Sequence, residues 1–141
     1  GKKFDNEKGV EKRDILYGLY YLLKPKKKFN ELYIVESAID VLSCCMVGFP
    51  SVALLGRAFY KAMLPALCLL KIKNIKLLLD NDKAGRIATE QISRFLTRHG
   101  FNVQTAVPID GYKDANDLLL GGKLKNIKFT HMVFKQKGLC E

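Results

Sequence analysis

The feature that most constrains this chain lies at its middle. The apolar run Ile75-Lys76-Leu77-Leu78-Leu79 passes without a break into Asp80-Asn81-Asp82-Lys83-Ala84-Gly85, and a helical pattern begins at once. A short apolar run bounded by turn residues predicts a strand buried on both faces. Ala84, Ile87, Ala88, Ile92, Phe95 and Leu96 recur at spacings of three and four, which predicts an amphipathic helix with Gly100 as its C-terminal cap. A buried strand, an acidic turn and an amphipathic helix in succession make half of a βαβ unit, so the chain is committed to an α/β architecture.

The flanking segments repeat the alternation. Residues 32–35 (Leu-Tyr-Ile-Val) predict a first strand, and residues 38–47 a helix ended by Gly48 and Pro50. Residues 51–55 predict a second strand, closed by Gly56. Residues 59–70 carry a helical apolar pattern in which Pro65 must kink the helix or begin a new one. Residues 101–107 predict a fourth strand, and Leu118-Leu119-Leu120 a short helix after the loop 112–117. Before all of these, residues 14–23 read as a short helix with Asp14 as its cap, stopped by Lys24-Pro25-Lys26-Lys27-Lys28. The expected fold is a Rossmann-like, four-stranded parallel sheet with helices on both faces. Residues 31–125 form the domain. Residues 1–30 are a tail or the edge of a preceding subdomain plus a lysine-rich linker, and residues 126–141 a basic C-terminal extension.

Charge and cysteine content narrow the partners and the setting. The 141 residues hold 24 Lys and Arg against 14 Asp and Glu, a formal net charge of +10. Such an excess favours a polyanion, because each basic side chain near a phosphate releases condensed counterions. Cys44, Cys45, Cys68 and Cys140 lack zinc-knuckle spacing, so no zinc is expected in this chain. The first three fall in segments that read as buried helix, where free thiols suit a reducing compartment, and a cytoplasmic location follows. No apolar run is long enough for a bilayer, and no membrane partner is expected. The start, Gly1-Lys2-Lys3-Phe4, lacks both a signal-peptide core and an initiator methionine, as expected for a piece of a longer chain.

The acidic residues sit where an α/β sheet binds ligands, beyond the carboxyl ends of the strands. Glu36 directly follows the first strand, Asp80 and Asp82 follow the third, and Asp114 and Asp117 lie in the loop after the fourth. Asp40, four residues beyond Glu36, shares its helix face. On extended backbone Asp80 and Asp82 project to one side while Asn81 faces away. Converging carboxylates repel, and a hard divalent cation such as magnesium resolves the repulsion while keeping sites for water and phosphate. Helix capping remains the alternative use of Asp82, Asp114 and Asp117. Glu36 sits between an apolar strand and an apolar helix, a partly buried place where a carboxylate needs a partner.

Several phrases resemble one family in order. Tyr33-Ile34-Val35-Glu36-Ser37-Ala38-Ile39-Asp40-Val41 and Leu78-Leu79-Asp80-Asn81-Asp82-Lys83-Ala84-Gly85-Arg86 resemble the two acidic motifs of the TOPRIM domain of bacterial-type DNA primases. Leu16-Tyr17-Gly18-Leu19 and Lys113-Asp114-Ala115-Asn116-Asp117-Leu118 resemble stretches that precede and follow them. The resemblance implies a TOPRIM fold and a nucleotidyltransferase synthesising RNA primers on single-stranded DNA. It implies Glu36, Asp80 and Asp82 as catalytic residues, and Glu36, Asp40, Asp80, Asp82 and Asp114 as ligands of Mg2+, for which Mn2+ can substitute. Lys12, Arg57, Lys83 and Arg86 are then candidates for phosphate contact. Single-stranded DNA and ribonucleoside triphosphates are the implied partners, with room for a replicative helicase and a nucleoid-associated location. Three residues depart from the family pattern: Ser37 for a glycine, Arg57 for a small hydroxyl residue, and Asn116 for an aspartate. Competing uses of the same acidic fold are phosphodiester cleavage, as in TOPRIM nucleases and topoisomerases, and nucleic-acid binding with weakened catalysis.

Overall fold

The computed structural model describes residues 16–23, 28–59 and 61–132. In chain order its elements are α1 (Leu19–Leu22), β1 (Glu31–Val35), α2 (Ala38–Met46), β2 (Ser51–Ala53), a 3-10 turn (Lys61–Met63), α3 (Leu64–Leu70), β3 (Asn74–Leu77), α4 (Lys83–Arg98), β4 (Asn102–Ala106), α5 (Ala115–Leu120) and β5 (Phe129–His131). The strands form one sheet in the order β2-β1-β3-β4-β5. The first four are parallel, with Ile34 opposite Val52 on one side and Leu77 on the other, and Ile75 opposite Val103.

The sheet is buried on both faces because each crossover carries a helix with one apolar stripe. Ile34, Val52, Ile75, Leu77 and Val103 pack on one face beneath Leu67 of α3 and Ala88, Ile92 and Leu96 of α4. Val35, Ala53 and Leu78 pack on the other, beneath Cys44 of α2 and Ala115 and Leu118 of α5. Lys76, the one charged residue in the third apolar run, lies with its ammonium over the rings of Tyr33 and Phe129 at 5.5 and 5.0 Å and pairs with Glu31 at 3.1 Å. Its stem can cover apolar surface because the charged head stays partnered. Pro65 falls in the first turn of α3, so the proline begins a helix instead of kinking one.

Three features differ from the sequence expectation. A fifth strand, β5, adds antiparallel to β4 through Thr105 opposite Thr130, inside the segment expected to be only an extension. It is three residues long with two of them exposed, so it carries no apolar alternation; the free edge of β4 makes it a strand. Cys45 and Cys68 are exposed, while Cys44 alone of the three is buried, because adjacent residues on a helix face different directions. The first helix begins after Gly18, while the expected cap Asp14 lies outside the described residues. Tyr17 forms an antiparallel bridge with Ala53, its N–H donating to the Ala53 carbonyl at 3.0 Å and its carbonyl accepting at 2.9 Å. Gly18 then turns the chain at φ 93°, 3.1 Å from the Ser51 carbonyl as a Cβ would see it. Only glycine adopts that conformation in that space without strain.

Ile34 is fully buried at the centre of the sheet. Ile34→Ala is expected to destabilise the chain by about 2–5 kcal/mol, the range for large-to-small core substitutions, read as a lower urea midpoint with an unchanged slope.

Candidate metal centre

In the order β2-β1-β3-β4 the chain runs outward from β1 to β2 and then returns to the far side of β1 for β3. Loops leaving β1 and β3 therefore diverge in opposite directions and open a crevice at their carboxyl ends. Glu36 leaves β1 into this crevice and Asp80 follows β3 into it. The Asp80 N–H donates to Glu36 Oε1 at 3.3 Å, joining the two loops.

Each carboxylate is placed by local backbone chemistry. Ser37 is the N-cap of α2 in an extended conformation, φ −122°, which any L residue adopts, so the serine that departs from the family glycine fits without strain. Its hydroxyl donates to Asp40 Oδ2 at 2.8 Å and accepts from the Asp40 N–H at 3.3 Å. Asp40 is 2% exposed, and its Oδ1 accepts the Asn116 N–H at 3.2 Å. Asp82 caps α4, accepting the Gly85 N–H at 2.7 Å, and Asp114 caps α5, accepting the Asp117 N–H at 2.8 Å. Capping is thus an actual role of both residues.

Asp40, Asp80 and Asp114 each offer a carboxylate oxygen, and these oxygens lie within 4.8 Å of one another. They come from the first turn of α2, the end of β3 and the start of α5. Glu36 and Asp82 stand beside this trio: the Glu36 carboxyl shares a hydrogen bond with that of Asp80, and both Glu36 and Asp82 meet Arg57, whose Nε lies 3.4 Å from Glu36 Oε2 and whose guanidinium lies 3.7 Å from Asp82 Oδ2. Of the acids named from sequence, the structure therefore groups Asp40, Asp80 and Asp114 in one cluster, joins Glu36 both to Asp80 and to an arginine, and ties Asp82 to that same arginine. Lys83 and Arg86 are exposed on the first turn of α4, and Lys12 lies outside the described residues.

Asn81 is the residue that sequence reasoning passed over. Its amide nitrogen donates to the carbonyls of Ile109 and Tyr112 at 3.3 and 3.2 Å, and its backbone N–H donates to the Lys113 carbonyl at 2.6 Å. The loop that delivers Asp114 is held against the end of β3 by these bonds. The Asp-Asn-Asp pattern was the available signal, since an asparagine alternating with two acids must point elsewhere, but its target is distant in sequence. Asn116 is similarly occupied, accepting the Ser43 hydroxyl at 3.2 Å. Between β3, β4 and this loop lies a cavity of about 340 Å³, bordered by Asp80, Arg86, Thr105, Tyr112 and Asp114.

Proton affinities record the crowding. Burial, and then the charge of Asp80, push the Glu36 carboxyl up to about 7. Burial holds Asp40 above the usual carboxylate range, and burial followed by the charges of Asp40, Asp114 and Asp82 does the same for Asp80. Three hard oxygen donors drawn this close together, two of them with raised proton affinity, suit a hard divalent cation that would replace the protons.

This geometry defines an α/β domain with an acidic crevice at the switch point of a mostly parallel sheet. A Toprim-like family model matches residues 33–119, and the chain belongs to the Toprim-like family, in the form of the TOPRIM domain that bacterial-type DNA primases carry. It is 30% identical over 112 residues to the DNA primase of Mycoplasma genitalium, covering 78% of this chain and 18% of that protein. The crystal structure of the zinc-binding and RNA polymerase domains of the Aquifex aeolicus primase matches with a TM-score of 0.71 at 24% identity, over 89% of this chain and 33% of that one. A DNA primase domain from Pseudomonas aeruginosa matches with a TM-score of 0.69 at 25% identity, over 84% of this chain and 36% of that one. The chain thus spans a fifth to about a third of the length of these relatives. Among the described residues no helix is long and apolar enough to cross a membrane.

Two outcomes follow from the site. A Cβ at Gly85 would drive into the Asp80 carbonyl, so Gly85→Ala must displace the acidic turn. A loss of about 1–3 kcal/mol in chemical denaturation is expected. Glu36 holds its proton in the folded chain up to about pH 7 but releases it near 4.5 when unfolded, so the native state binds more protons across that window. Stability in EDTA is therefore expected to fall as pH rises from about 4.5 to about 7. Melting temperatures across the window check this, and Glu36→Gln should flatten the slope; a rise through the same interval in the unmodified chain would contradict it.

Proposed function

We propose that this chain is the metal-dependent nucleotidyl-transfer domain of a DNA primase that synthesises RNA primers on single-stranded DNA. The observation that carries the reading is the meeting of Asp40, Asp80 and Asp114 within 4.8 Å, at the crevice where the sheet order reverses. In this reading residues 31–125 are the TOPRIM domain proper. The preferred cation is Mg2+, with Mn2+ able to substitute, because magnesium takes few protein carboxylates and shares the rest of its shell with water and phosphate.

When bound, the ion supplies Lewis-acid stabilisation of charge on a nucleoside triphosphate. The chain's own residues do the remainder. Asp40, Asp80 and Asp114 would hold the ion: hydrogen bonds from Ser37 and the Asn116 N–H direct the Asp40 carboxylate, the Asp117 N–H directs that of Asp114, and the carboxyl of Glu36 contacts that of Asp80. Glu36, with a proton affinity near neutrality, is matched to accept the proton of an attacking 3′-hydroxyl. Asp82 sets the start of α4, which presents Lys83 and Arg86 toward phosphate, and Arg57 lies on the same rim. The net charge of +10 keeps single-stranded DNA close while the acids work within it. Template grip, a helicase contact and a cytoplasmic, nucleoid-associated setting belong to the longer protein that this reading implies.

Asp80→Asn is expected to weaken Mn2+ binding roughly tenfold or more in calorimetric titration, with the fold retained by circular dichroism. Placed in the longer protein, Asp80→Asn should abolish primer synthesis. Retained synthesis would refute the assignment, and metal-dependent nicking of duplex DNA without nucleotides would point to phosphodiester cleavage instead.

A further inference from the structure

The rim carboxylates differ in whether a side-chain cation reaches them. Among the described residues, no lysine or arginine pairs with Asp40, Asp80 or Asp114, whereas Glu36 and Asp82 share one guanidinium. Arg57 reaches them from the loop after β2, and it stands where the primase pattern has a small hydroxyl residue that carries no charge. Its side chain is half exposed while that of Glu36 is 9% exposed, so the contact runs from solvent into the crevice.

We propose that Arg57 is a built-in counter-ion in the position of a second cation, so that the rim admits one divalent ion, at Asp40, Asp80 and Asp114, and Glu36 and Asp82 stay out of metal coordination. The inference rests on the metal reading above and deepens it. A guanidinium stays charged at every working pH and presents its donors in a rigid fork, so one group reaches both carboxyl groups. Tethered on the same chain, it acts at an effective concentration in the millimolar range or above. A competing magnesium ion must shed part of a tightly held hydration shell to displace it. The largely buried Glu36 gains most, since a buried carboxylate without a partner is costly. The consequence is a division of labour: Glu36 is a positioned base, oriented by Arg57 and by the Asp80 N–H, and not a ligand.

The test is a Mn2+ titration of the 141-residue chain, with free ion read by electron paramagnetic resonance. The chain as it stands and Arg57→Lys are expected to bind one ion, while Arg57→Ser and Arg57→Gln bind two. Adding Glu36→Gln to Arg57→Ser should return the count to one. Using two neutral replacements keeps the stoichiometry readable if one of them fails to fold. Two ions bound by the unmodified chain, or one by both neutral variants, overturns the counter-ion role and leaves the metal reading standing. No saturable binding by the unmodified chain overturns the metal reading and the inference with it.

Discussion

Mutual repulsion among carboxylates at the end of a parallel sheet is the constraint around which this molecule is arranged. Glu36, Asp40, Asp80, Asp82 and Asp114 are delivered by separate segments to one rim, and folding brings their charges together while removing much of their water. The cost is lowered in three ways visible in the structure: backbone N–H groups donate to Glu36, Asp40, Asp82 and Asp114, proton affinities rise, and an arginine joins two of the acids. Each is an incomplete answer without a cation. A site that stays frustrated until it is filled is suited to binding an ion together with the phosphates that complete its shell.

Precision at the rim comes from polar side chains that do not face the cluster. Asn81 ties the loop 109–113 to the acidic turn, Ser37 steers Asp40, and Asn116 joins α5 to α2 through Ser43. Two of these, Ser37 and Asn116, are departures from the primase pattern. Neither disturbs the cluster: Ser37 adopts an ordinary extended backbone, and the Asn116 side chain points toward Ser43 while its N–H supports Asp40. The third departure, Arg57, is different in kind because it adds a charge to the rim itself.

In the primase structures that it resembles at TM-scores of 0.69 and 0.71, this fold accounts for 36% and 33% of the chain. The unit combines a basic overall charge with an acidic crevice. That polarity sets a positive field around a locally negative crevice, so the two parts of the surface favour ligands of opposite charge.

The alternating apolar runs determined the α/β class, the four parallel strands and the helices between them, because a strand buried on both faces and a one-sided helix have distinct periods readable over a few residues. Sequence also put every rim acid in a loop at the carboxyl end of a strand or in the helix turn that follows, since those boundaries are set locally. Only tertiary structure decided which acids meet. The pair at 80 and 82, two residues apart, divides its work between the cluster and a helix cap, whereas Asp40 and Asp114, 74 positions apart, share the cluster with Asp80. β5, the Arg57 bridge and the hold of Asn81 on a distant loop were equally beyond local reading, because each depends on a free edge, a charge or a carbonyl brought close by sheet order and not by neighbours in the chain.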